Sequence, residues 1–186
     1  SGRYQHGKSL RDEGSFPASL TGDRALELNG RSEVELAALP LGKTVALWFQ
    51  NRARTFKNGI LYRMNDAREG WELFLDDPYA IPRLKQKADL VLRKVERWPD
   101  RVWEARLKDH LLVTRKRNWF HIAWAGDRLY INGEPAEYIV KQNTLTKPFE
   151  EIGGPVTIGG RKEADRLRGR IDDLRFYDRV LDAAEI

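Results

Sequence analysis

The sequence predicts an all-β protein, built as a two-sheet antiparallel sandwich or jelly roll. Three observations carry that reading. Short runs alternate apolar and polar residues at the period of two that a half-buried strand shows. Between them stand turn residues, at Asn29-Gly30, Asn58-Gly59, Gly126-Asp127 and Asn132-Gly133. The chain of 186 residues, 41% hydrophobic and 33% charged, suits one sandwich domain under a very polar surface.

The elements follow in order. Residues 1–22 are polar and aperiodic, with Gly14, Pro17 and Gly22, and read as an N-terminal arm or edge strand. Residues 23–186 read as one domain with no linker or internal repeat. Ala25-Leu26-Glu27-Leu28 is a short strand closed by Asn29-Gly30, and Val34 and Leu36 alternate with Glu33 and Glu35 in the next. In 44–50, Val45, Leu47 and Phe49 face one way and Ala46 and Trp48 the other, as in a central strand covered on both sides. Asn58-Gly59 is expected to turn the chain into a strand over 60–64, and 71–75 forms another. Residues 87–95 and 101–107 read as strands around Trp98-Pro99-Asp100. A helix over 84–95 is the rival, because Leu84, Ala88, Val91 and Val95 also fall at helical spacing. Leu111-Leu112-Val113 is a further short strand. Trp119 and His121 share one strand face and Phe120 and Ile122 the other, so one pair faces the core. Strands at 128–131, 137–140 and 155–158 follow, and Gly159-Gly160 and Gly169 permit a bulge or close backbone approach. In 169–186, Leu174 and Phe176 alternate with Asp173, Arg175 and Tyr177. Asp178 and Asp182 are placed to cap short helical turns beyond.

Composition excludes several functions. With no cysteine there is no disulfide, thiol nucleophile or zinc–thiolate site. No apolar run approaches the ~20 residues of a membrane-spanning helix. Ser1-Gly2-Arg3 reads as the edge of an excised piece, without a signal peptide. The net charge of +5 is uneven: residues 83–118 hold twelve Lys/Arg against five Asp/Glu. Such a block suits an anionic partner such as an acidic polysaccharide, or else is a solvated strand pair. No nucleic-acid motif accompanies it, so nucleic acid is not the expected partner.

Three segments, in order, carry a resemblance: 119–123 with Leu129-Tyr130-Ile131-Asn132-Gly133, then Val156-Thr157-Ile158-Gly159-Gly160, then 169–186. Over about 23–186 the chain resembles the laminin-G-like, concanavalin A-like jelly-roll domain of bacterial extracellular proteins. That resemblance implies two antiparallel sheets, one concave, and an extracellular or periplasmic setting beside other domains of a longer chain. It also implies binding of carbohydrate or protein more often than catalysis, with glycan-cleaving relatives known. Trp48 and Trp119 match core positions of such domains.

The catalytic strand of the family's glucanases reads Glu-x-Asp-x-x-Glu, and the nearest string here, Glu163-Ala164-Asp165-Arg166-Leu167-Arg168, lacks the last acid. His6, His110 and His121 sit in separate segments without metal-ligand spacing. A non-catalytic module is therefore expected, with no enzyme activity. Trp98 and Trp103 lie in the basic block beside Arg97 and Arg101. The indoles suit stacking on a sugar and the guanidinium groups suit a carboxylate or sulfate, so these four are the expected ligand-binding residues. The alternative is two more core tryptophans. Asp172 is the acid that needs explaining. Strict alternation points it inward with Leu174 and Phe176, which calls for a structural calcium, an arginine partner, or a β-bulge that turns Ile171 inward instead. Calcium is implied by the resemblance, with Asn29 as a second ligand, although Arg31-Ser32-Glu33 departs from the acidic pair common in relatives.

Overall fold

A computed structural model describes residues 8–9, 25–31, 33–36, 42–52, 57–76, 89–107, 118–146, 154–160 and 166–186. Every regular element among them is a strand: β1 Lys8–Ser9, β2 Leu26–Asn29, β3 Val34–Leu36, β4 Thr44–Asn51, β5 Lys57–Met64, β6 Gly70–Asp76, β7 Asp89–Arg97, β8 Arg101–Leu107, β9 Trp119–Ala125, β10 Arg128–Ile131, β11 Glu134–Pro135, β12 Tyr138–Asn143, β13 Val156–Ile158 and β14 Arg168–Tyr177. They form an eight-stranded sheet, ordered β1-β3-β13-β5-β6-β7-β8-β12, and a six-stranded sheet, ordered β11-β10-β9-β4-β14-β2. All pairings are antiparallel. The two-sheet sandwich expected from alternation is the observed architecture.

The two inner faces build one core. Val45, Leu47 and Phe49 of β4 and Phe120 and Ile122 of β9 join Leu61, Leu73, Leu75, Leu90 and Leu92 from the larger sheet. Trp71 meets Trp124 edge to face across it, with ring centroids 5.1 Å apart. Asp89–Arg97 is a strand, so the helical spacing around Val91 and Val95 is incidental. Pairing with β6 and β8 on either side overrides it. Trp48 and Trp119 are half-buried on the outer face of the smaller sheet instead of in the core. The reason is phase: once Leu47 and Phe49 point inward, the pleat turns Trp48 outward.

Turn chemistry accounts for short connections among the described residues. Asn132 and Gly133 take φ of 54° and 82° between β10 and β11, as a tight hairpin turn needs. Asn58-Gly59 departs from expectation. Both residues lie inside β5, where the register against β6 shifts between Gly59 and Leu61. The β5–β6 turn is made by Asn65, whose side-chain oxygen accepts the Glu69 N–H at 2.9 Å. Leu111-Leu112-Val113, His6, His110 and residues 163–165 lie outside the described residues.

The closing strand β14 contains the bulge raised as one explanation of Asp172. Ile171 pairs Phe49 and is fully buried, Asp172 pairs Trp48, and the register slips before Arg175. Asp173 sits at the slip with φ of 46°, and its N–H donates to Asp172 Oδ1 at 2.9 Å. The slip restores Leu174 and Phe176 to contact with the core. Beyond the strand, Asp182 accepts the Ala184 and Glu185 N–H groups and caps a single turn, while 178–179 is a bend and not a helical turn. Thr44 ties this tail down: its buried hydroxyl donates to the Arg179 carbonyl and accepts the Leu181 N–H.

Candidate functional site

Strand phase on the larger sheet lays a line of polar side chains across its outer face. Register pairs Glu35 with Thr157, Thr157 with Tyr62, Tyr62 with Glu72, Glu72 with Arg93, Arg93 with Glu104, and Glu104 with Gln142. Cross-strand partners share a face, so these seven residues form one rung, about 29 Å long at the spacing of neighbouring strands. Their inward neighbours, including Leu61, Leu73, Leu92 and Ala105, hold the rung on the core.

Arg93 is the hub. Its guanidinium bonds Glu72 at 2.6 Å and Glu104 at 2.6 Å. It also lies over the Phe74 ring at 4.8 Å and the Trp98 ring at 5.3 Å. Arg106 continues the lattice to Glu104 at 2.8 Å, Asp76 at 2.9 Å and Asp89 at 3.7 Å. Burial alone would push the Glu104 carboxyl up, but hydrogen bonds and charge from Arg93 and Arg106 outweigh it and hold it below its ordinary range. A glycosidase general acid needs the opposite shift, so Glu104 does not suit that role; the ion pairs around it hold the side chains of the rung in place.

Beside the hub opens a cleft of about 620 Å³, lined by Tyr62, Glu72, Trp98, Glu35, Arg68 and Thr157 among others. A smaller hollow of about 100 Å³ against Phe74 and Arg93 continues it, sharing Tyr62, Glu72 and Gly160. Trp98 overhangs from the β7–β8 turn, 42% exposed, and is joined to Pro99 by a cis bond. Among the described residues, Glu33, Glu35, Asp66 and Glu72 face the cleft against one cation, Arg68. Its wall is therefore acidic, although it borders the most basic stretch of the sequence.

The expected ligand residues separate here. Trp98 is exposed beside the cleft, but Trp103 is 7% exposed and belongs to the core. It lies edge-on to Tyr138 at 6.3 Å and beneath the Lys94 ammonium at 5.1 Å. The alternation that sends Glu104 outward sends Trp103 inward, so it cannot stack on a ligand. Arg97 and Arg101 pair across the turn and are matched to Asp100 and Glu96. Lys94 is bonded to Asp127 at 2.7 Å and to the Gly126 carbonyl at 2.8 Å. Each described cation of the basic block thus has an acid partner.

Asp172 and Asn29 do not fit one calcium ion. Asn29 pairs Arg168, and Asp172 stands four positions further along β14, about 13 Å away at the rise of a strand, whereas ligands sit about 2.4 Å from the ion. The Asn29 side-chain oxygen accepts the Arg31 N–H at 2.8 Å. Among the described residues no three acids or histidines gather as a metal site.

The two-sheet antiparallel sandwich agrees with comparison against known families. The model of the concanavalin A-like lectin/glucanases superfamily, laminin-G type, matches residues 23–186. The chain belongs to this superfamily. Solved domains of several other proteins share its fold. Domain 4 of AbnA, a GH43 extracellular arabinanase from Geobacillus stearothermophilus solved with arabinotriose, aligns with a TM-score of 0.62 at 17% identity, covering 94% of this chain and 80% of that one. The CBM40 of the Ruminococcus gnavus IT-sialidase, bound to α2,3-sialyllactose, aligns at 0.60 and 11% identity, over 87% and 93% of the two chains. The binding domain of botulinum neurotoxin DC, in complex with rat synaptotagmin II, aligns at 0.69 and 12% identity, over 96% of this chain but 45% of that one. A search of curated proteins found no match.

Proposed function

We propose that the laminin-G-like domain is a non-catalytic carbohydrate-binding module of a larger exported bacterial protein, and that its ligand lies in the cleft beneath Trp98. The observation that carries this reading is the pairing of two aromatics, Tyr62 and the exposed Trp98, with a fixed row of polar side chains in one cleft. An indole offers an apolar plane to a sugar face, while Glu72, Glu35 and Thr157 offer hydroxyl partners. Arg93 holds both Trp98 and Glu72, so little ordering remains to be done on binding. Sugar ligands of the arabinanase domain and of the CBM40 are in line with this use of the fold. The acidic wall favours a neutral glycan over the anionic one expected from the basic block.

Calorimetric titration with neutral arabino-, xylo-, gluco- and galacto-oligosaccharides, set against sialyllactose and oligogalacturonate, tests the reading. Saturable binding of a neutral member, weakened about tenfold or more in Trp98→Ala, supports it. Binding of the anionic members alone would overturn the neutral preference, and no binding of any would overturn the function.

A further inference from the structure

The outer face of the six-stranded sheet carries a second hollow, remote from the cleft. Its floor is low because small residues meet there: Ala46 pairs Ala123 on one side and Arg175 on the other. The half-buried Trp48 and His121 rise beside this floor. They are a cross-strand pair with ring centroids 5.2 Å apart and planes tilted by 49°, which fixes the indole. On the other side Ile186 packs against Ala46, Ala123, Ala125 and Tyr130. The space left is about 390 Å³, lined by Trp48, His121, Asp173, Arg175, Tyr177 and Ile186, among others.

The hollow has one apolar plane and one polar edge. The edge is the Asp173–Arg175 pair, bonded at 2.7 Å, and the bulge with its left-handed Asp173 brings both to this rim. Asn132 stands on the same wall, its side-chain oxygen taking the His121 N–H at 3.0 Å, which leaves the amide N–H₂ as a donor. Donors and acceptors in balance around an indole fit a ring that has one C–H face and several hydroxyls. The volume lies at the small end of ligand sites, and the paired charges give no preference for an ion.

We propose that this hollow binds a single neutral sugar ring, stacked on Trp48 with hydroxyls on the Asp173–Arg175 pair. It is independent of the cleft beneath Trp98. The test is NMR titration of the whole chain with the methyl glycosides of glucose, galactose, xylose and arabinose. Its readouts are the Trp48 indole N–H and the His121 ring. At least one glycoside should shift both in a saturable way, with affinity about tenfold lower in Arg175→Ala and unchanged in Trp98→Ala. The guanidinium is half exposed, so Arg175→Ala leaves the core intact. No shift at Trp48 with any of the four glycosides would overturn the proposal, as would shifts that keep their full affinity in Arg175→Ala. Shifts at Trp98 alone would overturn it and leave the cleft standing, whereas shifts at Trp48 alone would support it and count against the cleft.

Discussion

Replacing Arg93 by methionine keeps the stem of the side chain and removes the charge that Glu72 and Glu104 share. Side-chain exposure is 15% for Arg93, 3% for Glu72 and 10% for Glu104, so solvent screens these contacts little. Deleting one partner of a buried pair costs about 3–5 kcal/mol. Glu104 retains Arg106, which lowers the expectation to about 2–3 kcal/mol. For a domain of this size that is a fall of about 4–12 °C in Tm. The double variant Arg93→Met/Glu72→Gln should regain at least half of the loss, because the acid left behind no longer carries charge. Acid sensitivity should change as well. The folded state holds Glu104 below its ordinary pKa, so its stabilisation is present above the unfolded value and disappears as pH falls through the folded one. Arg93→Met should therefore lose less stability than wild type as pH falls below about 4.3. Urea unfolding followed by tryptophan fluorescence at neutral and acid pH measures both effects. A single variant that melts within about 1 °C of wild type, or a double variant no better than the single, would refute the lattice as described.

Two further predictions concern the other sheet. Thr44→Val should cost about 1–3 kcal/mol in urea unfolding, because it strips the Leu181 N–H and the Arg179 carbonyl of their buried partner; a loss below about 0.5 kcal/mol would count against that anchor. Burial first, helped by Arg175 and opposed by Asp173, keeps the His121 pKa below its ordinary value. The unfolded chain then binds that proton more readily, so stability should fall as pH drops below about 6.5. Titrated melts of His121→Gln should show a shallower fall, and an identical profile would contradict the assignment.

Legibility in the sequence followed the range of the forces involved. Asn132-Gly133 was readable because its turn is decided by the backbone freedom of two adjacent residues. Asn58-Gly59 carries the same local signal, yet pairing on both sides of β5 absorbs it into a strand. Asp172 was half readable. Alternation showed a conflict and named the bulge among its answers, but only the pairing with Trp48 placed the side chain on the outer face. The candidate cleft was the least readable part. Trp98 could be singled out from its turn, whereas the rung from Glu35 to Gln142 depends on registers between segments distant in sequence. Arg93 could have been flagged by phase alone: it falls on the same side of β7 as Val91, opposite Leu90 and Leu92. The pairing of the basic block was hidden for the same reason, since three of the acids that meet its described cations, Glu72, Asp76 and Asp127, arrive from β6 and from the β9–β10 turn.

The most direct test of the central claim uses the six tryptophans as reporters. Their indole N–H resonances, assigned by single substitutions, can be followed during titration with the neutral oligosaccharide that binds best. The account predicts that the Trp98 signal moves with the binding isotherm while Trp71, Trp103 and Trp124, buried in the core, stay in place. Saturable binding that leaves Trp98 unmoved would contradict it.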